Sequence, residues 1–263
     1  MIYLLTAIFF LASIFFAMIG IGGGVFYTPL QIYLLNIPIQ SAVANSLFVI
    51  IFASLSATSV YRKNQKVDYA LGIILEVSTA MGSFAGGYIS AFISQKAIIV
   101  LLGAVLLAVS YIMIKGWKKD AGIKWHVHTL VIRRKFKGKD YEIPMLVAVP
   151  VTFLAGTVAG LAGIAGGTIK VPLMVLLLGI PMDIAVGTSS FMIGITSLSG
   201  LIGHLIHGHL MLKLAIPFAI AVVLGGNIGA RVAVNLPAGK LKKIFGWALL
   251  LIALSMFWKA MRM

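Results

Sequence analysis

Apolar residues along the chain form ten runs, separated by short polar or glycine-rich breaks. A straight helix needs about 20 apolar residues to cross the roughly 30 Å hydrocarbon core of a bilayer, and most of the runs approach that length. The pattern predicts an all-α integral membrane protein with five helical elements in each half. The runs of the first half are 1–20, 25–37, 40–61, 69–93 and 96–115, and those of the second are 144–163, 168–180, 184–204, 211–235 and 241–259.

The second run of each half is too short to cross the bilayer as a straight helix. Each of these runs follows a glycine cluster and contains a proline, Pro29 or Pro172. Proline lacks a backbone N–H and interrupts a helix. Interrupted backbone is tolerated at membrane depth where it is buried in protein or lines a cavity. Both runs are therefore predicted to be broken or re-entrant helices.

The two halves align without a gap when the chain is shifted by the distance between the two prolines (172 − 29 = 143). Two apolar halves with a Gly/Pro interruption at the same place are typical of transporters whose site lies between two repeats. The matched pairs include Gly20 and Gly163, Gly23 and Gly166, Gly24 and Gly167, Ser46 and Ser189, Gly82 and Gly225, and Gly86 and Gly229.

Composition supports a membrane protein and restricts its chemistry. Hydrophobic residues make up 61% of the chain and charged residues 10%, with a mean hydropathy of +1.09. A soluble domain has about 25% charged residues. The chain has no cysteine, so disulfides and thiolate catalysis are excluded. The predicted domains are a first repeat at 1–115, a basic linker at 116–143 and a second repeat at 144–263.

The net charge of +15 is concentrated beside the apolar runs, with nine basic residues between 115 and 139. This placement predicts a cytoplasmic linker near anionic lipid headgroups, and no nucleic-acid partner. If each half crosses the membrane an odd number of times, the repeats are inverted and 240–243 is also cytoplasmic. An even number gives eight crossings in parallel repeats. We favour the inverted arrangement because it keeps more positive charge inside.

Two glycine clusters precede the short helices and are the first candidates for a binding site. Glycine allows a close approach of backbone to ligand, and the free N–H groups at a helix start favour anions. The alternative is that these glycines only allow close packing of helices. The candidate glycines are Gly22, Gly23, Gly24, Gly166 and Gly167.

Small polar residues near the start of the third element of each half are the second candidates. They are Asn45 and Ser46 in the first half and Thr188, Ser189 and Ser190 in the second. Such side chains either cap a helix or donate hydrogen bonds to an oxyanion, and the sequence leaves both readings open.

Charged residues within apolar runs are functional candidates by default. Lys170 lies in the run that begins Gly167-Thr168, where it either faces the site or extends to the membrane interface. Glu76 lies well inside the fourth run, where it could relay a proton, pair with a buried cation or face a vestibule. A single intramembrane carboxylate does not assemble a hydrolytic site, so we predict no enzyme, cofactor or metal.

The doubled motif resembles the sulfite exporter TauE/SafE family. The resemblance rests on Gly20 to Val25 with Thr28-Pro29-Leu30, and on Gly163 to Leu173 followed by Ala185 to Ser189. It covers nearly the whole chain apart from the long basic linker. It implies transport of a small sulfur-containing anion of the sulfite, thiosulfate, sulfonate or sulfoacetate type, with neither substrate nor direction fixed.

The predicted function is therefore a secondary anion transporter of the cell (inner) membrane that works by alternating access. An anion channel and a non-transporting membrane assembly component stay as alternatives, and a homo-oligomer is left open. Glu76 is the candidate for proton coupling. The predicted anion-binding residues are Gly22, Gly23, Gly24, Asn45, Ser46, Gly166, Gly167, Thr168, Lys170, Thr188, Ser189 and Ser190.

Overall fold

The computed structural model describes residues 2–115, 130–136, 138–164 and 166–261. These residues are mostly helical, and each half contributes five α-helices, as the apolar runs predict. The helices of the first half are α1 (Ile2–Ile19), α2 (Gly24–Leu35), α3 (Ile39–Lys63), α4 (Tyr69–Ile89) and α5 (Gln95–Lys115). Those of the second half are α6 (Met145–Ala162), α7 (Gly167–Pro172), α8 (Met182–Leu205), α9 (Leu212–Val234) and α10 (Ala238–Met261).

The second helix of each half is short, as predicted, and each begins after a glycine in the left-handed conformation. Gly23 has φ 83° before α2, and Gly166 has φ 72° before α7. Helix α2 has 12 residues and contains Pro29. Helix α7 has six residues, ends at Pro172 and continues as a π-helix over Leu173–Leu177. The proline and the change of helix type explain why neither element forms a straight span.

Six of the helices in the described ranges are long and apolar enough to cross a membrane. They are α1, α3, α6, α8, α9 and α4, which a 3₁₀ turn extends to Phe92. Helices α5 and α10 pack against each other. Large apolar side chains such as Leu11, Val77 and Ile220 lie exposed on the helix surfaces, as expected where lipid takes the place of water.

Each half packs its fourth helix against the first and third helices of the other half. Helix α4 packs on α6 and α8, and the equivalent helix α9 packs on α1 and α3. A Cβ atom on Gly82 would overlap the carbonyl oxygen of Phe153, and one on Gly225 would overlap that of Phe10, 143 positions earlier. Gly86 with Thr157 and Gly229 with Ile14 repeat the same exchange. Glycine at these positions lets the helix backbones touch.

The equivalent helices α3 and α8 run antiparallel. Lys66, just after α3, forms an ion pair with Asp183 at the start of α8. At the other end, the N–H of Met211, beyond α8, donates to Asn45 Oδ1 near the start of α3 at 2.9 Å. The equivalent bond runs from the N–H of Asp68 to Thr188 Oγ1 at 3.0 Å. The bond from Met211 to Asn45 and the bond from Asp68 to Thr188 are therefore the same contact, formed once in each direction between the two halves.

The linker contains an element that the sequence pattern did not indicate. Two antiparallel strands, β1 (Val131–Phe136) and β2 (Lys139–Pro144), form a hairpin that leads directly into α6. Arg133 faces Glu142 across the hairpin, and the side chains pair at 3.2 Å. The sequence predicts only a basic linker here, because its charged residues hide the alternation of a strand. Residues 116–129 and 137 of that prediction lie outside the described residues.

Candidate functional site

The two glycine clusters meet in the interior of the molecule. A Cβ atom on Gly24 would overlap the carbonyl oxygen of Gly163, and one on Gly167 would lie 2.6 Å from that of Gly20. These two contacts are equivalent under the 143-residue offset. Each short helix therefore begins against the backbone that precedes the other. The sequence predicts a close approach of this backbone to a ligand. In the structure the glycine backbone of each half closely approaches the backbone of the other half.

A small cavity lies beside this junction. The space open to the centre of a water molecule is about 10 Å³, enough for about one water. The cavity is lined by backbone from the first glycine cluster and by side chains from four helices. The lining residues are Ser13, Phe16, Ala17, Gly20, Gly22, Tyr27, Ala53, Ser54, Ala57, Ser190 and Ile193.

Tyr27 presents an unsatisfied hydroxyl at this cavity. Its ring is fully buried and stacks on Phe9 with ring centroids 4.4 Å apart. Its oxygen has no hydrogen-bond partner of acceptable geometry among the described residues, although Ser13 is close by. A buried polar group without a partner is destabilising by about 1–3 kcal/mol, which makes this hydroxyl a candidate to bind a ligand or a water.

The serines around the cavity already donate to backbone. Ser54 Oγ donates to the Ser190 carbonyl at 2.6 Å, and Ser13 Oγ donates to the Phe10 carbonyl at 2.8 Å. Ser190 Oγ donates to the Val186 carbonyl at 2.9 Å. An anion would have to redirect these hydroxyl protons, whereas the Tyr27 hydroxyl has no acceptor of acceptable geometry among the described residues.

A charged cluster lies at the position equivalent to Tyr27 in the second half. Lys170 Nζ is 2.6 Å from Glu76 Oε2, and both side chains are buried. The hydroxyl of Thr196 accepts a hydrogen bond from Lys170 and donates one to the second oxygen of Glu76. Of the readings that the sequence left open, the structure therefore has Lys170 buried rather than at the interface, and Glu76 paired with that cation.

Asn45 and Ser46 form a separate buried network away from the cavity lining. Asn45 Nδ2 donates to Gln31 Oε1 at 3.0 Å, and Gln31 Nε2 donates to Ser46 Oγ at 3.0 Å. Thr28 Oγ1 donates to Ser46 Oγ at 2.9 Å. In this conformation the network joins α2 to α3, so both residues already have protein partners.

The remaining candidates divide between the junction and the periphery. Ser189 Oγ donates to the Gly20 carbonyl at 2.9 Å, so it braces the glycine junction. Thr188 accepts from the Asp68 N–H, outside the cavity lining. Thr168 is buried, and its hydroxyl has no partner among the described residues. The structure therefore brings Gly22 and Ser190 to one cavity and Lys170 to Glu76, while Asn45, Ser46 and Thr188 lie elsewhere.

The hairpin is held to the start of α4 by a second buried carboxylate, that of the N-cap residue Asp68. Both oxygens of Asp68 accept from Arg134 at 2.8–3.1 Å, and Tyr141 donates its hydroxyl to Asp68. Burial alone would raise the pKa of Asp68, but the hydrogen bonds from Arg134, Tyr141 and the Leu71 N–H outweigh it, and the pKa lies below its ordinary value. Burial and the bond to Asp68 raise the pKa of Tyr141 above its ordinary range.

Several residues of these sites were not among the sequence candidates. Ser13, Ser54 and Thr196 are ordinary small polar residues in apolar runs, and Tyr27 is an ordinary aromatic residue in one. Asp68 lies in a polar break between two runs. The alignment of the halves gives a usable signal, because Lys170 and Glu76 are aligned with uncharged residues, Tyr27 and Ala219.

Similarity to known proteins extends along nearly the whole chain. The model of the sulfite exporter TauE/SafE family matches residues 5–256. The probable membrane transporter protein YunE of Bacillus subtilis (strain 168) is 29% identical over 252 residues, which cover 92% of each chain. A probable membrane transporter protein of Haemophilus influenzae is 32% identical over 193 residues, 72% of this chain and 66% of the relative. No solved structure matches the chain.

Proposed function

Because the chain belongs to the sulfite exporter TauE/SafE family and is a multi-pass membrane transporter, we propose that its substrate is a small sulfur-containing anion. The proposed mechanism is alternating access, with the anion bound between the two repeats. The observation that carries this proposal is the cavity with the free Tyr27 hydroxyl beside the junction of the two glycine clusters.

The anion would be bound by donors that the protein itself leaves unused. Tyr27 supplies one O–H, and the start of α2 supplies backbone N–H groups that have no partner inside the helix. Ser54 and Ser190 supply hydroxyls once they turn from their carbonyl partners. Gly22 lines the cavity without a side chain, which leaves room at the backbone. Sulfite has four non-hydrogen atoms and exceeds a one-water cavity, so the halves must separate to admit it.

We also propose that the repeats are inverted. The end of the helix bundle that carries the hairpin, here called the linker face, would then lie in the cytoplasm. The antiparallel course of the equivalent helices α3 and α8 supports a two-fold axis in the membrane plane. The linker face is joined by the ion pairs Lys66–Asp183 and Arg134–Asp68. The residues equivalent to Lys66, Asp183 and Asp68 are His209, Gln40 and Met211, so the opposite face lacks this set of ion pairs.

Counterflow in proteoliposomes tests the transport proposal. Vesicles loaded with sulfite, thiosulfate, a sulfonate or sulfate are mixed with a trace of the labelled anion outside. A carrier accelerates uptake when the same anion is present on the far side. Uptake without this stimulation indicates a channel, and no uptake of any anion in the panel indicates a membrane component that does not transport them.

Labelling of single cysteines in this cysteine-free chain tests the orientation. Lys63→Cys lies at the end of α3 on the linker face, and Lys213→Cys lies in the first turn of α9 on the opposite face; both lysines are exposed. A membrane-impermeant maleimide added to intact cells should label only the Lys213 position. The unmodified chain gives the background, and labelling of both positions or of Lys63 alone contradicts the proposed orientation.

A further inference from the structure

The buried pair of Lys170 and Glu76 has no counterpart in the first half. The offset aligns Lys170 with Tyr27, Glu76 with Ala219 and Thr196 with Ala53. The first half therefore fills the equivalent position with an aromatic ring and two methyl groups. Since the fold is formed there without charges, an ion pair is not required by the packing of this motif. Replacing a buried ion pair by apolar residues is often neutral or stabilising, so its presence calls for another role.

Few other ionisable groups lie on the helices that pack around the pair. Helix α6, which packs on the helix of Glu76, contains no ionisable residue. Helix α8 contributes Asp183, which pairs with Lys66, and His204, which bonds the Gly160 carbonyl. Helix α4 itself adds Tyr69 and Tyr88. Helix α5, which packs on α6 and α7, carries Lys96, Tyr111 and Lys115 near its ends.

Lys170 has donor capacity left for a ligand. An ammonium group has three N–H donors, and Glu76 and Thr196 accept two of them. The lysine side chain also passes close to the glycine junction, since a Cβ atom on Gly166 would lie 3.3 Å from Lys170 Cε. Gly166 precedes Lys170 by one helical turn, so an anion held against the Gly166 backbone would lie beside the lysine side chain.

We propose that Lys170 and Glu76 couple anion binding to proton binding, so that the protein moves one proton together with each anion. Within the proposed transport function, on which this inference rests, the anion passes from the Tyr27 cavity to Lys170 and replaces Glu76 as its partner. Glu76 accepts a proton from water on the open side at Oε2, and its hydrogen bond from Lys170 breaks. Thr196 keeps the protonated carboxyl oriented through its other oxygen.

The balance of charge explains why the two ligands bind together. The empty site holds one ammonium and one carboxylate and is neutral. Binding of a monovalent anion alone would leave a buried net negative charge, and protonation alone would leave a net positive charge. With both ligands the site is neutral again. Each ligand therefore favours the other, and the coupling is reciprocal.

Transport driven by a pH gradient provides the first test. With the membrane potential clamped at zero, a gradient of one pH unit should drive about tenfold accumulation of the exchanging anion in wild-type vesicles, since each tenfold ratio corresponds to about 1.4 kcal/mol. Glu76→Gln should lose this accumulation and retain counterflow. Glu142→Gln, on the exposed hairpin, is the matched control and should accumulate the anion as the wild type does.

A second measurement uses the wild type alone, in case Glu76→Gln does not fold. Calorimetry of anion binding in two buffers with different ionisation enthalpies gives the protons taken up on binding. We expect about one proton per anion at neutral pH, because a single carboxylate binds one. Binding without proton uptake, or pH-driven accumulation by folded Glu76→Gln at the wild-type level, would overturn the coupling. A wild type without counterflow would instead overturn the transport proposal.

Discussion

The two halves of the protein have the same backbone plan around the glycine junction and different side chains at its two equivalent niches. The Tyr27 niche contains a stacked aromatic ring, serine hydroxyls and a small cavity. The Lys170 niche contains an ammonium, a carboxylate and a threonine hydroxyl in direct contact. The comparison teaches that the two halves of a repeated membrane fold can share the glycine contacts between their helices and still differ in the side chains at equivalent positions. One niche contains a small cavity, and the other is filled by charged side chains.

The largest expected effect comes from removing one charge of the Lys170 niche. Lys170→Met leaves the Glu76 carboxylate buried without its cation, which should destabilise the protein by about 3–5 kcal/mol. The double change Lys170→Met with Glu76→Leu removes both charges and should recover most of that loss, because the equivalent niche is stable without charges. Denaturant unfolding in detergent measures the difference.

A matched change at the linker face serves as the control for this prediction. Lys66 and Asp183 are partly exposed, with side-chain exposures of 26% and 34%, so Lys66→Met should destabilise by no more than about 1 kcal/mol. If Lys170→Met and the double variant are equally unstable, the niche depends on packing rather than on charge, and the contrast between the two niches loses its energetic basis.

Much of this contrast could be predicted from the sequence, for physical reasons that differ by residue. The ten helices follow from apolar length, and the short α2 and α7 follow from Pro29 and Pro172. Lys170 and Glu76 were visible because charge in an apolar run is costly. Their pairing was one of several options, since they lie 94 positions apart and periodicity within one helix says nothing of contacts between helices.

Other parts of the site could not be predicted because they depend on the exchange of contacts between halves. Ser190 reaches the cavity and Thr188 does not, because residues two positions apart lie on different faces of a helix. Which face meets the cavity depends on contacts with other helices. Asn45 and Ser46 proved to be partnered by Gln31, a residue without a distinctive pattern. The hairpin of the linker was missed because the sequence shows only its charge.

The next largest effect should come from the glycines that precede the two short helices. Gly23 and Gly166 both have positive φ, so alanine at either position should destabilise by about 1–2 kcal/mol through backbone strain. A Cβ atom on Gly23 would also lie 2.5 Å from the rigid Tyr27 ring, whereas one on Gly166 meets the flexible Lys170 chain at 3.3 Å. Gly23→Ala should therefore destabilise more, by about a further 1–3 kcal/mol.

Thermal unfolding of the two alanine variants in the same detergent provides this measurement. Gly208→Ala is the control for strain alone, because Gly208 has φ 67° and no atom within 4 Å of its added Cβ. Equal losses for Gly23→Ala and Gly166→Ala would mean that the Tyr27 ring moves as easily as the lysine chain, and the Tyr27 niche would then not be a preformed binding site.

A smaller effect, on affinity rather than stability, is expected from Tyr27→Phe. The hydroxyl has no hydrogen-bond partner of acceptable geometry in the described ranges, so the folded state should lose little. A hydrogen bond to an anion contributes about 1.5–3 kcal/mol, so its removal should lower the affinity tenfold or more. Tyr61→Phe is the matched control. The buried Tyr61 hydroxyl donates to the Ala17 carbonyl at 2.8 Å, so its removal should lower stability and leave affinity unchanged.

Anion binding and unfolding measured on both tyrosine variants decide whether the cavity is the site. Loss of stability without loss of affinity in Tyr27→Phe would make its hydroxyl a structural group. The anion would then have to bind elsewhere, and the Lys170 niche would be the remaining candidate of the pair.

The smallest effect on stability is expected at Asp68 on the linker face, whose equivalent in the other half is the uncharged Met211. Arg134 is 30% exposed, and the buried Asp68 carboxylate keeps its hydrogen bonds from Tyr141 and the Leu71 N–H, so Arg134→Gln should destabilise by only about 1 kcal/mol at neutral pH. Because the pKa of Asp68 is lowered in the folded state, its stabilisation is present above the unfolded pKa of about 3.9 and is lost as the pH falls through the folded value. The difference in unfolding free energy between wild type and Arg134→Gln should therefore stay constant from neutral pH down to about 4 and shrink below it.

Arg133→Gln, an exposed neighbour paired with exposed Glu142, should differ little from wild type over that range. A difference for Arg134→Gln that persists undiminished in acid would show that the arginine acts by packing, and that the charged face differs from its neutral equivalent in shape rather than in electrostatics.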